Sequence, residues 1–184
     1  MRKLIYGINL TLDGCCDHTK GNGSEEIHEY FTDLLRQTDL IIYGRITYEL
    51  MVPFWPDVAK TRSMNEIGNE FARVFDSIEK LVFSRTLDSV EDKNSRIARA
   101  DLYDEIVRLK NEPGRDISLG GVNLPSQLIE MGLVDEFHFV YQPVIVGEGR
   151  RLFDHTNLPE KLDLKLVESK IFKSGGVALH YIKQ

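Results

Sequence analysis

Three short polar turns carry the residue types that bind a phosphorylated ligand. Each turn directly follows a run of residues that predicts a β-strand, and two of the turns also open a predicted helix. The turns are Gly44-Arg45-Ile46-Thr47, Ser84-Arg85-Thr86 and Gly120-Gly121-Val122-Asn123. Ligands of open α/β sheets bind outside the carboxyl ends of the strands. We therefore expect the three turns to lie together at one edge of a sheet.

Backbone chemistry suits these turns to anion binding. A helix that begins at such a turn offers unpaired N–H groups and the positive end of its dipole to a phosphate. Gly120 and Gly121 carry no side chains, so a pyrophosphate can approach their backbone. A purely structural role stays open for each motif, because a Gly-Gly pair before a helix is often only a tight turn and an arginine at a helix start is often solvated. The spacing also departs from the G-x-G-x-x-G fingerprint, so the pattern by itself supports an anion-binding α/β domain.

The elements that must position these turns alternate along the chain. Short apolar runs alternate with helical patterns, which predicts an α/β domain with a largely parallel sheet. Ser24 is followed by acidic residues and an amphipathic stretch, which is typical of a capped helix start. The predicted strands span residues 3–9, 40–43, 80–83, 95–98 and 116–119, and further predicted helices span 45–51, 64–75, 101–110 and 122–131.

The pattern changes near the C-terminus. Residues 136–146, 162–172 and 177–182 form three strand runs with no helix between them, which favours antiparallel pairing. Ser174-Gly175-Gly176 predicts the hairpin turn between the last two. The sequence shows no internal repeat and no low-complexity linker, so we expect a single domain over residues 1–184.

Composition argues against several classes of partner. A net charge of -6 disfavours a broad surface for nucleic acid or for an anionic membrane, because both need clustered Lys and Arg. No apolar stretch approaches the length of a membrane span or of a signal-peptide core. The two cysteines, Cys15 and Cys16, are adjacent and cannot form a disulfide framework or a zinc ligand set, so we expect a reducing cytoplasm and no metal.

An ordered set of motifs covers nearly the whole chain. Its members are residues 11–14 (TLDG), 39–49 (DLIIYGRITYE), 54–56 (FWP), 84–86 (SRT), 120–121 (GG), 133–136 (LVDE), 142–149 (QPVIVGEG) and 152–153 (LF). In this order they resemble the dihydrofolate-reductase-like superfamily, and specifically the group that shares the C-terminal reductase domain of the bifunctional riboflavin deaminase-reductase RibD. The resemblance implies a three-layer α/β/α fold with a mixed, mostly parallel sheet and antiparallel C-terminal strands.

The same resemblance implies NADPH as cofactor and gives each turn a part in binding it. Gly44 and Thr47 would meet the pyrophosphate, while Arg45 and the turn formed by Ser84, Arg85 and Thr86 would surround the adenosine 2′-phosphate. A second wall for the pyrophosphate would come from Gly120, Gly121, Val122 and Asn123. Cationic and hydroxyl donors suit a phosphate, whereas the free ribose diol of NADH is usually met by an acid, so we expect NADPH to be preferred over NADH.

Under the resemblance, the first strand and its loop, from Ile8 to Gly14, lie along the nicotinamide and the substrate. Asp13 is the candidate catalytic and substrate-binding side chain, with a plain Asp-Gly turn as the alternative. Two further candidates for substrate binding are His28 and Trp55. The alternatives are a solvent-facing histidine on a helix and a tryptophan that packs in a proline-bounded loop.

Two departures narrow the function. True dihydrofolate reductases carry an acid on the helix after the first loop, and the corresponding region near His28 and Glu29 has no clean match. The His-x-Glu and Pro-Cys-x-x-Cys motifs of zinc deaminases are also absent from the sequence. We therefore expect an NADPH-dependent reductase that acts on a small, planar, nitrogen-containing heterocycle. The alternative is an NADPH-binding module without efficient catalysis, acting as a sensor or scaffold.

A homodimer is also expected, since members of the resembling group often pair. The apolar residues of the run at 136–146 would form the exposed edge of the C-terminal strands. These residues are Phe137, Phe139, Tyr141, Val144 and Val146. The alternative is that this run lies inside the sheet and its apolar side chains fill the core.

Overall fold

A computed structural model describes residues 1–154, 156–158 and 160–184. Within these residues the chain forms one sheet of eight strands and six α-helices. The strands are β1 (Leu4–Thr11), β2 (Thr38–Gly44), β3 (Glu79–Phe83), β4 (Ser95–Ile97), β5 (Asp116–Leu119), β6 (Glu136–Gln142), β7 (Leu164–Ile171) and β8 (Val177–Lys183). The helices are α1 (Glu25–Arg36), α2 (Arg45–Met51), α3 (Phe54–Thr61), α4 (Glu66–Ser77), α5 (Leu102–Asn111) and α6 (Asn123–Glu130).

The sheet is mixed and mostly parallel. Its order is β4-β3-β2-β5-β1-β6-β8-β7, and the pairings from β4 to β6 are all parallel. The last two strands run antiparallel to their neighbours, β8 against β6 and β7 against β8. This architecture confirms the predicted fold class, including the antiparallel C-terminal strands.

Helices cover both faces of the sheet and create two main cores. Because side chains of a strand alternate between faces, Leu40 and Ile42 of β2 pack with α5 and α6, while Ile41 and Tyr43 pack with α2, α3 and α4. All four of these side chains are buried, as expected for a parallel sheet covered on both sides. The predicted α/β/α layering is therefore confirmed.

Local sequence signals begin and end several elements as predicted. The Ser24 hydroxyl accepts a hydrogen bond from the Ile27 N–H at 3.3 Å, which caps α1. The hairpin between β7 and β8 closes where the Phe172 N–H donates to the Gly176 carbonyl at 2.9 Å. Both predictions from these turns are confirmed.

The segment around Trp55 differs from its prediction. Residues 54–56 were expected in a proline-bounded loop, but they form the first turn of α3. Pro56 is tolerated there because the N–H groups of the first turn have no partner within a helix. The loop interpretation was wrong, and the helix turns Trp55 inward, where it is only 9% exposed.

The predicted C-terminal edge is wrong as well. Strand β6 ends at Gln142 instead of continuing to Val146, and it lies between β1 and β8. Phe137 and Phe139 are consequently core residues, at 1% and 7% exposure. The alternative interpretation, a strand inside the sheet, is confirmed, and the exposed C-terminal edge strand is β7.

No helix in the described part of the chain combines the length and apolar character that crossing a bilayer requires.

Candidate active site

The carboxyl ends of neighbouring parallel strands converge on one open cleft. Gly44 at the end of β2 lies opposite Phe83 at the end of β3, and Ile42 lies opposite Leu119 at the end of β5. The turns that follow these strands therefore emerge side by side, and all three line a cleft of about 1480 Å³. The expectation that they share one sheet edge is confirmed. The lining includes Ile8, Gly44, Arg45, Thr47, Ser84, Arg85, Thr86, Gly120, Gly121, Val122 and Asn123.

The Gly120-Gly121 turn is held from beneath by a buried tyrosine. The Tyr6 hydroxyl donates a hydrogen bond of 2.8 Å to the Gly121 carbonyl, and Tyr6 itself is fully buried in β1. This bond satisfies a carbonyl that the turn leaves outside the strand ladder and outside α6. A residue of the central strand thereby fixes the position of the cleft wall.

The two glycines are required by the fold irrespective of any ligand. A Cβ at Gly120 would lie 2.5 Å from the Tyr43 ring, and one at Gly121 would lie 2.4 Å from the Thr47 hydroxyl oxygen. Gly121 also has a φ of 93°, a conformation that side-chain-bearing residues rarely adopt. A larger residue at Gly121 would therefore damage the turn itself, so such a variant cannot report on ligand contact alone.

Four arginines give the cleft a local supply of positive charge in an acidic chain. Arg45 and Arg85 were predicted to be there, whereas Arg99 and Arg150 were missed. Arg99 directly follows the predicted strand at 95–98. Because ligands bind at the carboxyl ends of strands, this position could have been predicted from the sequence. Arg150 comes from the loop after β6 and has no comparable signal in the sequence.

Several of these polar groups are hydrogen-bonded to other residues of the chain. Arg45 pairs with Glu49 one helical turn later at 2.8 Å, and the Arg150 guanidinium donates to the Asn123 side-chain oxygen. The Ser84 hydroxyl oxygen accepts from the N–H groups of Thr86 and Leu87 at 3.1 and 2.9 Å. Exposed pairs of this kind contribute little to stability and can exchange for an incoming anion.

An aromatic cluster forms another part of the cleft lining. His28 lies 5.7 Å from both Trp55 and Phe71, measured between ring centroids, and Trp55 packs on Phe71 at 4.5 Å. His28 and Trp55 both line the cleft, so the alternative of a solvent-facing histidine is wrong. Burial lowers the pKa of His28 below the ordinary histidine value, which favours a neutral imidazole at neutral pH.

Asp13 is not brought into the cleft. Its carboxylate accepts hydrogen bonds from the Thr11 hydroxyl at 2.6 Å, the Gly147 N–H at 2.9 Å and the Val146 N–H at 3.3 Å. These bonds, led by that from Thr11, lower the pKa of Asp13 to about 2. The turn-residue alternative describes this arrangement, in which Asp13 ties the loop after β1 to the loop after β6.

Gln142 is a polar residue of the cleft that the sequence analysis missed. It ends β6 beside Thr11 of β1, is 6% exposed and lines the cleft. Its side-chain oxygen is buried and has no hydrogen-bond partner in the described chain. The sequence analysis predicted a strand that continued to Val146. Gln142 was therefore expected in the middle of a strand, although it lies at the carboxyl end of β6.

Other titratable groups of the cleft serve local structure. The Asp17 carboxylate accepts from the N–H and hydroxyl of Thr19, and Asp101 caps α5 by accepting from the Tyr103 N–H. Burial raises the pKa of the Cys16 thiol, which favours its neutral form. Both cysteines are free thiols in the structure.

Comparison with known proteins identifies the family. The model of the RibD C-terminal domain matches residues 2–178. This chain belongs to the RibD C-terminal domain family.

Two similar relatives come from Bacillus subtilis (strain 168). The uncharacterized protein YyaP is 34% identical over 98% of this chain and 94% of its own length. The uncharacterized protein YwjB is 28% identical over 99% of this chain and 98% of its own length. The chain therefore corresponds to nearly the whole of each relative.

Solved structures share the fold of this RibD C-terminal domain. A putative riboflavin biosynthesis protein from Shewanella sp. PV-4 aligns with a TM-score of 0.76 at 18% identity, over 100% of this chain and 99% of that one. The bifunctional diaminohydroxyphosphoribosylaminopyrimidine deaminase and 5-amino-6-(5-phosphoribosylamino)uracil reductase from Thermotoga maritima aligns with a TM-score of 0.68 at 15% identity, over 100% of this chain and 57% of that one.

Removing the Tyr6 hydroxyl tests its support of the glycine turn. We expect Tyr6→Phe to lower the free energy of unfolding by about 1–2 kcal/mol, because the Gly121 carbonyl loses its buried partner. Denaturant unfolding measures this loss, and Tyr103→Phe on the exposed face of α5 is the matched control. Equal stability of Tyr6→Phe and the parent protein would show that the Tyr6 hydroxyl does not stabilise this turn.

The carboxylate of Asp13 is expected to stabilise the fold in a pH-dependent way. Its folded pKa of about 2 lies below the ordinary value of 3.8, so the contribution is complete above pH 3.8 and is lost as pH falls through about 2. We expect Asp13→Asn to lower the Tm at neutral pH and to approach the parent Tm in strong acid, with Asp88→Asn as control. A Tm difference that stays constant down to pH 2 would contradict this role.

Proposed function

We propose that the chain is an NADPH-dependent reductase that transfers a hydride to a small, planar, nitrogen-containing heterocycle. The observation that carries the proposal is the convergence of the three polar turns on one cleft that also has an aromatic wall. Membership of the RibD C-terminal domain family supports a reductase-like role. Bound NADPH would supply the hydride, and the protein would orient the two rings and exclude water.

The residues that would hold the cofactor fit its anionic groups. Gly44 and Thr47 at the start of α2 and the turn from Gly120 to Asn123 at the start of α6 would flank the pyrophosphate. Arg45, Ser84, Arg85 and Thr86 would surround the 2′-phosphate, with Arg99 beside them. These two hydroxyls and three guanidinium groups match a phosphate monoester better than a ribose diol.

Ile8 would lie against the nicotinamide ring, and the aromatic wall would take the substrate. His28 and Trp55 offer ring faces and edges to a flat heterocycle, and a neutral His28 can donate or accept a hydrogen bond. The side-chain amide of Gln142 is complementary to an amide or amidine edge, since it can donate and accept side by side. Asp13 has no place in this proposal because loop N–H groups and Thr11 occupy its oxygens.

Cofactor preference tests the phosphate assignment. We expect NADPH to bind more tightly than NADH by at least ~1.5 kcal/mol, about tenfold in Kd. The reason is that Arg45 and Arg85 would form charged hydrogen bonds with the 2′-phosphate, which NADH lacks. Arg85→Gln should narrow this difference while leaving NADH affinity unchanged. Calorimetry measures both constants, and Arg73→Gln on the exposed surface of α4 is the control. Equal affinities of the parent protein for the two nucleotides would refute the assignment.

Turnover tests the reductase activity itself. NADPH oxidation, followed by absorbance over a panel of pterins, pyrimidine ribosides and small carbonyl compounds, should show activity with a flat heterocycle. His28→Phe should reduce kcat/KM for that compound and leave the Kd of NADPH unchanged. Tight NADPH binding without turnover of any compound would instead favour a sensor or scaffold module.

We also propose a homodimer in a reducing, cytoplasmic setting. The edge strand β7 exposes Leu166, Val167 and Ile171, and a monomer would leave these side chains in water. Light scattering at micromolar concentration should give about twice the chain mass of 21.1 kDa. Ile171→Lys should shift the mass towards the monomer, and a monomeric parent protein would refute the dimer without affecting the reductase proposal.

A further inference from the structure

Two adjacent strands bring two histidines and a glutamate together away from the cleft. His138 of β6 pairs directly with His180 of β8, so their rings stack at 4.1 Å between centroids. Glu136 lies two residues before His138 and therefore on the same face of the sheet. None of these three residues is among those that line the cleft.

Their ligand atoms lie close together. Glu136 Oε2 lies 3.1 Å from His180 Nε2 and 3.8 Å from His138 Nε2, and all three atoms lie within 4.8 Å of one another. Glu136 and His138 are buried, at 8% and 7% exposure, while His180 reaches the surface. The cluster is therefore largely shielded, with access from one side.

His138 has an unsatisfied nitrogen in this cluster. Its Nδ1 is 2.6 Å from the Tyr30 hydroxyl, but its Nε2 is buried without a hydrogen-bond partner in the described residues. If the proton is on Nδ1, the Nε2 lone pair faces the Glu136 carboxylate. If it is on Nε2, the N–H is 3.8 Å from that carboxylate, too far for a hydrogen bond. Each tautomer leaves a buried polar group without a partner, which is costly.

We propose that Glu136, His138 and His180 bind a divalent transition-metal ion of the Zn²⁺ class. Two imidazole nitrogens and one carboxylate oxygen form a ligand set that Zn²⁺ and its neighbours in the series accept. A metal ion between them would use the lone pair of His138 Nε2 and replace the hydrogen bond between His180 and Glu136. The ligand atoms must approach the metal to about 2.0–2.2 Å. Because the two imidazole rings are stacked with only 16° between their planes, one ring must rotate out of the stack to direct its nitrogen lone pair at the same ion, and the partly exposed His180 would make this rotation.

The surroundings of the cluster supply an outer shell. The Tyr30 hydroxyl oxygen of α1 can accept a hydrogen bond from the Nδ1–H of His138, which fixes the tautomer that a metal ligand needs. Lys3 binds the other carboxylate oxygen of Glu136, Oε1, at 2.5 Å, so Oε2 remains available. The Lys3 side chain is 57% exposed, and solvent therefore weakens its repulsion of a cation. Glu168 of β7 pairs with His180 across the ladder and adds negative charge on the same side.

Direct binding measurements test the site. The tag-free protein, stripped with a chelator, is titrated with Zn²⁺ against a chromophoric indicator, and Co²⁺ is used as a spectroscopic probe. We expect one ion per chain, visible absorption bands of low-coordinate Co²⁺ and a saturable rise in Tm with Zn²⁺. His138→Gln and His180→Gln should each weaken Zn²⁺ binding at least tenfold, and Tyr30→Phe should weaken it by a smaller factor.

The controls separate a built site from adventitious binding. His18→Gln changes an exposed histidine and should leave Zn²⁺ affinity unchanged. Circular dichroism establishes that each variant is folded, and His180→Gln is the most informative because His180 is the least buried ligand. Absence of stoichiometric binding, or equal affinity of His180→Gln and the parent protein, would overturn the proposal. NADPH binding is measured in the same samples, so failure of the metal site and failure of the reductase proposal are distinguishable.

Discussion

The parallel pairing of β5 between β1 and β2 is the constraint on which the rest of the structure depends. Parallel strands in register end at the same edge, so the turns after β2 and β5 must emerge as neighbours, and β3 adds its turn beside them. The helices that return from these turns cover both faces and bury the sheet. The cleft is therefore a direct consequence of strand order and does not need a separate binding domain.

Close packing at this edge of the sheet connects the cleft wall to the core. The Gly120-Gly121 turn passes so close to Tyr43 and Thr47 that no Cβ fits, and Tyr6 holds the turn from within β1. Because the fold itself excludes side chains at Gly120 and Gly121, a ligand can approach the backbone of this turn closely. The same arrangement makes the turn intolerant of substitution, so stability and binding cannot be separated there by mutating the glycines.

Sequence patterns predicted what depends on neighbours in the chain. The strands near the glycine turns, the Ser24 cap and the final hairpin all follow from local periodicity and turn chemistry, and each is present. Helix α3 was missed because Pro56 suggests a loop, although the first turn of a helix tolerates proline. The end of β6 was overestimated because apolar residues continue to Val146 beyond the last ladder pairing at Gln142.

The arrangement of the site residues depends on contacts between distant elements. The aromatic wall is assembled from α1, α3 and α4, and no spacing in the sequence indicates that His28, Trp55 and Phe71 meet. For Asp13, the family resemblance suggested a catalytic role. In the structure its carboxylate oxygens instead accept hydrogen bonds from N–H groups of a loop more than 130 residues away. Local chemistry identifies a candidate residue, but only the packing determines where its polar atoms can act.

Helix α1 contributes residues to both the cleft and the histidine cluster. His28 and Tyr30 are two positions apart and point to different sides of the helix, so His28 joins the aromatic wall and Tyr30 reaches His138. Strand β6 also contributes to both regions. Its last residue, Gln142, lines the cleft, while Glu136 and His138 lie nearer its start. The cleft and the histidine cluster are therefore built on the same two elements, α1 and β6, even though they share no side chain.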